Sequence, residues 1–507
     1  MNDSFYLSTA IAYVNGKPHV GHAYEFIASD AICRYQRMIG KNVFFLSGVD
    51  EHSAQVEKAA REEGLPTQEY CDNMAVVFTE LHQKLGTKLD GFVRTSEPRH
   101  HDTTKEMLRR SYEKGDIYKG HYEGWYCDAC ERYYQDDELD EGNECPTHKR
   151  PCQWLKEENY FFKLSNYTEA LKKYYAEHPS FVQPDSYKNE MLSLLDQGLR
   201  DISISRSTTK WGIPLPWDES HVAYVWFDAL SNYLTGIGFL KDDEKFNTFW
   251  PADIHIIGKD INRFHSVLWP AMLMSCDIPL PKQVLIHGFI YHKGEKMSKT
   301  IGNIIDPLAL IDSYGRDPLR YFLLSEVAFG QDGNYSEKAL INRYNADLAN
   351  DLGNLTSRVL SMVKKYRDKV VPSPTEFNDS LRENIAKARQ SYRQHMDNNA
   401  LHLGLGAIWD LISTANKYVD EQAPWALAKD ETKQNDLDRV LLNLVETLRA
   451  AAVMVYPVMP DISTEMLNRL SCPVERDFPL LSVLEQENQC AGKTIEPGKS
   501  LFPRIEK

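Results

Sequence analysis

Two histidines, His19 and His22, flank Val20 and Gly21, and behind them Ala23, Ile27, Ala31, Tyr35 and Met38 recur at helical spacing. The first turn of a helix carries the positive end of its dipole and unpaired N–H groups, so imidazoles placed there face a position that favours anions. Gly21, without a Cβ, lets a flat ring or a phosphate approach the backbone. Far downstream, His292-Lys293-Gly294-Glu295-Lys296-Met297-Ser298-Lys299-Thr300 is a glycine-bearing stretch with three lysines. A third set is Cys127-Asp128-Ala129-Cys130 with Cys145-Pro146-Thr147-His148, two knuckles with two residues between potential ligands. That spacing lets both members of a pair point at one tetrahedral ion, and thiolate with imidazole suits Zn²⁺. Cys152 follows closely as an alternative to His148, which the tighter paired-knuckle geometry favours. With all four positions filled by protein, the ion would be structural. Each set also has an ordinary reading: histidines near a helix start often cap it, and a lysine-rich loop is commonly solvated surface.

The elements around these residues give them a common direction. Residues 5–11 are apolar and short enough for a buried strand, and Asn15-Gly16-Lys17-Pro18 is turn chemistry that leads into the histidine helix. A second strand, 41–48, delivers Val49-Asp50-Glu51-His52 to the same sheet edge, where Asp50 can also cap the next helix. Aromatics dominate 222–233; Phe227 reads as core, whereas Trp226, Ala229 and Tyr233 fall near one helical face. Residues 254–260 are a further buried strand that ends in Gly258-Lys259-Asp260. Another, Val284-Leu285-Ile286-His287-Gly288-Phe289-Ile290, runs into the lysine stretch. Strands alternating with helical patterns predict an α/β, doubly wound parallel sheet of Rossmann-like type, with ligands at the carboxyl ends of the strands. From about 338 to 465 the pattern is almost wholly helical. The expected partition is 1–115 for the first half of the sheet domain and 116–225 for a zinc-binding insertion. The second half follows at 226–295, then the lysine loop and a connecting stem at 296–345, and an all-α bundle at 346–507.

A chain of 507 residues is too long for one core. It holds no apolar run long enough to span a bilayer. Its acidic start, Met1-Asn2-Asp3-Ser4, argues against a presequence and so for a cytoplasmic protein. Nine cysteines in such a length are not a disulfide framework. The net charge of -15 would by itself argue against a nucleic-acid partner.

Together, His19-Val20-Gly21-His22 and Lys296-Met297-Ser298-Lys299-Thr300 resemble the paired signature elements of class I aminoacyl-tRNA synthetases, with Val20 in place of an Ile and Thr300 in place of a final Ser. Ala10-Ile11-Ala12-Tyr13, Val49-Asp50-Glu51-His52, the segment 226–233 and His287-Gly288-Phe289 narrow the resemblance to the methionyl-tRNA synthetase family, over essentially the whole chain. The aromatic-rich pocket and the lack of a large editing insertion disfavour sibling synthetases for Leu, Ile, Val or Cys. The resemblance implies a ligase that activates L-methionine with ATP and Mg²⁺ and charges initiator and elongator tRNA(Met) through a CAU anticodon. A tRNA-binding surface need only be locally basic, which removes the objection from net charge.

By the same resemblance, His19, His22, Lys296 and Lys299 are the catalytic residues, and ATP is held by His19, Gly21, His22, Gly258, Asp260, Lys296 and Lys299. The methionine pocket comprises Ile11, Tyr13, Asp50, Trp226, Ala229, Tyr233, Ile286 and His287, with Asp50 on the ammonium group. Leu230 stands where some members have Pro. A thioether offers few handles, so aromatic walls and a hydroxyl donor from Tyr233 would select it. One structural Zn²⁺ is expected on Cys127, Cys130, Cys145 and His148, and anticodon contacts from Asn354, Arg358 and Trp425. Some members carry an added C-terminal dimerisation domain and this sequence has none, so a monomer is expected.

Overall fold

The strand Ser4–Thr9 is buried along its whole length and sits at the centre of a parallel sheet. The computed structural model describes residues 3–128, 132–134, 136–147, 149–207, 209–297, 303–374, 376, 379–473, 482 and 484–506. On one side of Ser4–Thr9 lies Asn42–Asp50; on the other lie Ile254–Gly258, Val284–His287 and Val182–Gln183 in turn. Ala12–Tyr13 continues along the end of Asn42–Asp50, and Gly91–Arg94 pairs with that strand's other edge. Every pairing is parallel, and these strands read as near-continuous apolar runs because both faces are covered. The order reverses between Ser4–Thr9 and its two neighbours, which opens a crevice at their carboxyl ends.

The helix Val20–Met38 follows the first strand and packs its Ala23, Ile27, Ala31, Tyr35 and Met38 into one core. The opposite sheet face packs Tyr6, Leu46 and Ile286 against Phe227, Tyr233 and Trp269. The segment 116–225, expected to leave the sheet, returns to it once, with Val182–Gln183 as the outermost strand beside Val284–His287. Its frame is an antiparallel pair, Ile117–Cys127 with Gln153–Phe162, joined by Arg132–Tyr134 and Ile202–Ser203.

Beyond the sheet, a bundle is built from Asn354–Arg367, Ser380–Asp397, Leu401–Gln422, Gln434–Val455 and Pro460–Arg469. Gln434–Val455 is buried along most of its length, as expected of a central helix that is apolar nearly all round. The two parts meet at Arg320, which is fully buried. Its guanidinium donates to Asp30 Oδ2 at 2.6 Å on the histidine helix and to the carbonyls of Val458, Pro457 and Leu85 at 2.7, 2.9 and 3.2 Å.

Candidate active site

A cavity of about 250 Å³ opens at the crevice. Ile11, Tyr13 and Trp226 line it together with His19, Gly21, His22 and Glu25 of the histidine helix, and Gly258, Asp260, Ile261, His287 and Met297 complete it. Nine of the residues singled out in the sequence therefore share one space. Met297 is the described residue that carries the lysine stretch to the cavity. The backbone of Lys296 pairs with Tyr291 in a short antiparallel ladder, while Lys299 lies outside the described residues.

The two histidines cap their own helix. His19 Nδ1 accepts the Gly21 N–H at 3.0 Å, and His22 Nδ1 accepts the His19 N–H at 3.1 Å. Capping and lining the cavity thus coexist in the same residues. A neutral ring that accepts at Nδ1 carries its proton on Nε2. Burial, reinforced by His19 and His287, holds His22 well below the ordinary histidine range, so it is a neutral Nε2–H donor. Gly21 has a further reason beyond close approach of a ligand: a Cβ there would lie 2.8 Å from His19 Cε1 and break the cap.

Glu25, which the motif reading passed over, lies three residues past His22 and therefore on the same helical face. Its Oε2 sits 3.0 Å from His287 Nε2, and His287 Nδ1 donates to the Gly288 carbonyl at 2.7 Å. Burial works against a charged His287, but the Glu25 carboxylate outweighs it and raises the imidazole's pKa; burial raises that of Glu25 as well. The pair therefore shares one proton. Asp260 adds negative potential to both members.

The aromatic wall is ordered by stacking. Trp226 lies flat on Phe264 at 3.9 Å and 5°, and edge-on to Tyr13 at 6.3 Å. Four of the eight expected methionine-pocket residues, Asp50, Ala229, Tyr233 and Ile286, are buried and are not among the residues that line the cavity. Ile286 packs into the core on the far sheet face. Tyr233 stacks on His255 at 4.2 Å, and its hydroxyl lies 2.7 Å from His265 Nε2. His265 Nδ1 faces the Ile261 carbonyl at 3.0 Å, so Nδ1 carries the proton and Nε2 accepts from the tyrosine. Burial pushes His265 down to about 4, which keeps it neutral. The Tyr233 proton is thus spent on His265 instead of standing free for a ligand. Ile261 and His265 were missed as site residues. Their signal was present, since they follow directly on the Gly258-Lys259-Asp260 edge.

Behind Asp50 runs a buried network. Asp228 is fully buried and meets His52 Nδ1 and His100 Nε2, each at 2.7 Å. Burial alone would raise its pKa, but the two imidazoles outweigh burial and hold the carboxyl well below the usual range. The His52 N–H donates to Asp50 Oδ1 at 3.3 Å. Asp228 belongs to the short helix Val225–Ala229, which also carries Trp226. The network therefore fixes the aromatic wall to the strand end that presents Asp50.

In the insertion, Cys127 and Cys145 are buried in one small cluster with Cys152 and Tyr134. Burial, together with Cys127 and Cys145 beside it, pushes the Cys152 thiol up to about 11. Cys130 and His148 lie outside the described residues, and among the described residues no group of three or more His, Cys, Asp or Glu side chains is placed to hold a metal ion. Glu138, on the acidic run between the knuckles, pairs with Arg263 at 3.6 Å, two residues past the cavity-lining Ile261.

At the bundle's far end, Asn354 is exposed and Arg358 half-buried on one face of Asn354–Arg367. Arg358 pairs with Asp420 at 2.6 Å, which draws the end of Leu401–Gln422 alongside. The chain then turns through Ala423, at φ 42°, into Pro424–Leu427, whose Trp425 is 44% exposed. An exposed Trp, an exposed Asn and an Arg are the residue types suited to stacking on and bonding to unpaired bases.

The family model for tRNA synthetases class I (M) matches residues 5–153 and 145–360, and that for the anticodon binding domain of methionyl tRNA ligase matches 371–507. The methionine–tRNA ligase of Caldanaerobacter subterraneus subsp. tengcongensis is 45% identical over 510 residues, covering 100% of this chain and 80% of that protein. The Brucella suis biovar 1 methionine–tRNA ligase is 46% identical, covering 94% of this chain and 93% of its own length. Among solved structures, Mycobacterium tuberculosis methionyl-tRNA synthetase in complex with methionyl-adenylate superposes with a TM-score of 0.95 at 44% identity, over 99% of this chain and 100% of that one.

Proposed function

The chain belongs to the methionyl-tRNA synthetase family and is a methionine–tRNA ligase, and on that premise we propose how its residues divide the reaction. The methionine carboxylate attacks the α-phosphorus of ATP, a new P–O bond forms, and pyrophosphate leaves. The methionyl group then passes from the adenylate to the 3′-terminal adenosine of tRNA(Met), initiator and elongator alike. The nucleophile is already ionised, so alignment and stabilisation of phosphate charge carry the rate.

His19 and His22 supply Nε2–H donors to the phosphates, and Lys296 and Lys299 take up charge on the departing pyrophosphate. Gly258 and Asp260 border the nucleotide. The observation that carries this reading is the single cavity shared by the histidine cap, Trp226 and Met297. His287, bonded to Glu25 on the histidine helix, fits the nucleotide side better than the methionine side. The methionine wall is Ile11, Tyr13, Trp226 and Ile261, supported from behind by Ala229, Tyr233 with His265, and Asp50 with His52. Asp50 would meet the ammonium group after the wall opens toward it. Ile286 serves the core.

Mg²⁺ bound with ATP would neutralise phosphate charge. A Zn²⁺ would fix the fold of the insertion, held by Cys127, Cys130 and Cys145 with either His148 or Cys152 as fourth ligand. The buried thiols of Cys127, Cys145 and Cys152 support that chemistry, and the Cys127–Cys152 contact favours Cys152. Asn354, Arg358 and Trp425 would read the CAU anticodon. The division of labour keeps the domain limits 1–115, 116–225, 226–295, 296–345 and 346–507, with Val182–Gln183 of the second lent to the sheet. A monomer working in the cytoplasm completes the proposal; among the described residues no helix is long and apolar enough to cross a membrane. The test is ATP–pyrophosphate exchange run with each amino acid in turn. Exchange with methionine alone is expected, and equal exchange with leucine, isoleucine, valine or cysteine would overturn the pocket assignment.

A further inference from the structure

Two cysteines that neither catalysis nor tRNA recognition uses meet where the bundle's last helix gives way to the C-terminal tail. Cys472 follows Pro460–Arg469 and is 8% exposed; Cys490 lies in the tail and is fully buried. Their sulfurs are 3.0 Å apart. Lys493 places its ammonium 3.4 Å from the Cys472 sulfur. The Cys490 N–H donates to Glu446 Oε1 at 2.9 Å, and Gly492 and Ile495 donate to the carbonyls of Val371 and Lys369, both at 2.9 Å. The tail is therefore laid across the end of the helix that begins with Asn354.

The two sulfurs are unequal. The hydrogen bond from Cys490, opposed by burial and helped by Lys493, brings Cys472 down to about 7, while the same bond and burial push Cys490 up. Cys71 and Cys276, by contrast, are pushed up by burial to about 12 and about 11. A lowered thiolate beside a second thiol is the arrangement of an oxidisable cysteine with its resolving partner.

We propose that Cys472 and Cys490 form a reversible redox site, which a peroxide closes into a disulfide that fastens the C-terminal tail to the end of the last bundle helix. The Cys472 thiolate attacks one oxygen of hydrogen peroxide; an S–O bond forms, the O–O bond breaks, and hydroxide leaves. Cys490 then attacks the sulfenic sulfur; the S–S bond forms, the S–O bond breaks, and the departing hydroxide takes the Cys490 proton as water. The two thiols lose two electrons and the peroxide ends as two waters once the first hydroxide takes up the proton that Cys472 released. A small oxidant suits a sulfur this buried, and a dithiol reverses the step by exchange.

The test treats the full-length, metal-loaded protein with graded hydrogen peroxide, alkylates it, and maps its peptides by mass. The expected product joins the Cys472 and Cys490 peptides, is lighter by two hydrogens, reverts with dithiothreitol, and raises Tm while methionine-dependent pyrophosphate exchange is unchanged. In Cys490→Ser a sulfenic acid should instead accumulate at Cys472, where a dimedone probe traps it. Full alkylation of both cysteines at peroxide levels that oxidise Cys71 or Cys276 would overturn the site. A disulfide that leaves Tm unchanged or lowers it would overturn the fastening. The wild-type map decides the first question even if the variant does not fold.

Discussion

Asp228→Asn isolates what the buried network contributes to methionine recognition. Asp228 accepts two 2.7 Å hydrogen bonds, from His52 and His100, with no exposed surface. Asparagine keeps one acceptor oxygen and turns an N–H₂ toward the other imidazole, so one bond to a charged group is lost, at about 1.5–3 kcal/mol. Part of that loss lowers overall stability. The rest falls on the helix Val225–Ala229, because Asp228 is its tie to the strand end that carries Asp50. With about 1.4 kcal/mol corresponding to a factor of ten, the expected rise in KM for methionine is about tenfold. The KM for ATP should stay within about twofold, since His19, His22 and Glu25 are held by other bonds. Pyrophosphate exchange with methionine and ATP varied separately reads both constants. Equal rises in the two, or a lowered Tm with an unchanged methionine KM, would refute the argument that this carboxylate positions the pocket.

Trp425→Ala should weaken tRNA charging by about 1–3 kcal/mol, the worth of one stacked base, and leave amino-acid activation intact; a parallel loss of activation would indicate misfolding. Lys299→Ala should slow adenylate formation by about 2.7–4 kcal/mol of barrier, as removal of one preorganised donor does, and unchanged exchange would remove it from that role. Because Glu25 raises the His287 pKa, the charged pair is present below the ordinary histidine value and is lost as pH rises through the elevated one. Exchange rate and stability should therefore both fall on that alkaline limb, and Glu25→Gln should shift the limb to lower pH; an unmoved limb would assign it to another group. Removing zinc with a chelator should lower Tm and release one metal per chain, and the loss should be larger for Cys152→Ala than for His148→Ala if Cys152 is the fourth ligand.

Strands and helices that bury one continuous apolar stripe were legible because period and length suffice to place them. The histidine helix falls where the pattern puts it, and the strands expected at 5–11 and 254–260 are Ser4–Thr9 and Ile254–Gly258, each ending two residues earlier. The motif residues His19, Gly21, His22, Gly258 and Asp260 were legible for the same reason, since each ends a strand or starts a helix at the crevice. Depth behind the crevice was not. Tyr233 and Ile286 lie near the motifs in sequence, yet a side chain's face depends on packing against distant segments. For Tyr233 the decisive partners, His255 and His265, lie 22 and 32 residues away. Glu25 and Asp228 escaped notice because a carboxylate among apolar helix residues has no spacing signature of its own. Only the imidazoles brought to them by the fold reveal what they do.

Arg320 has a consequence for how the two parts of the molecule hold together. Its guanidinium joins Asp30, on the helix whose first turn lines the cavity, to the carbonyls that close the bundle's central helix. Pulling these parts away from each other would strand a charge in an apolar interior, at about 3–5 kcal/mol. The sheet domain and the bundle are therefore fastened to each other through one buried cation.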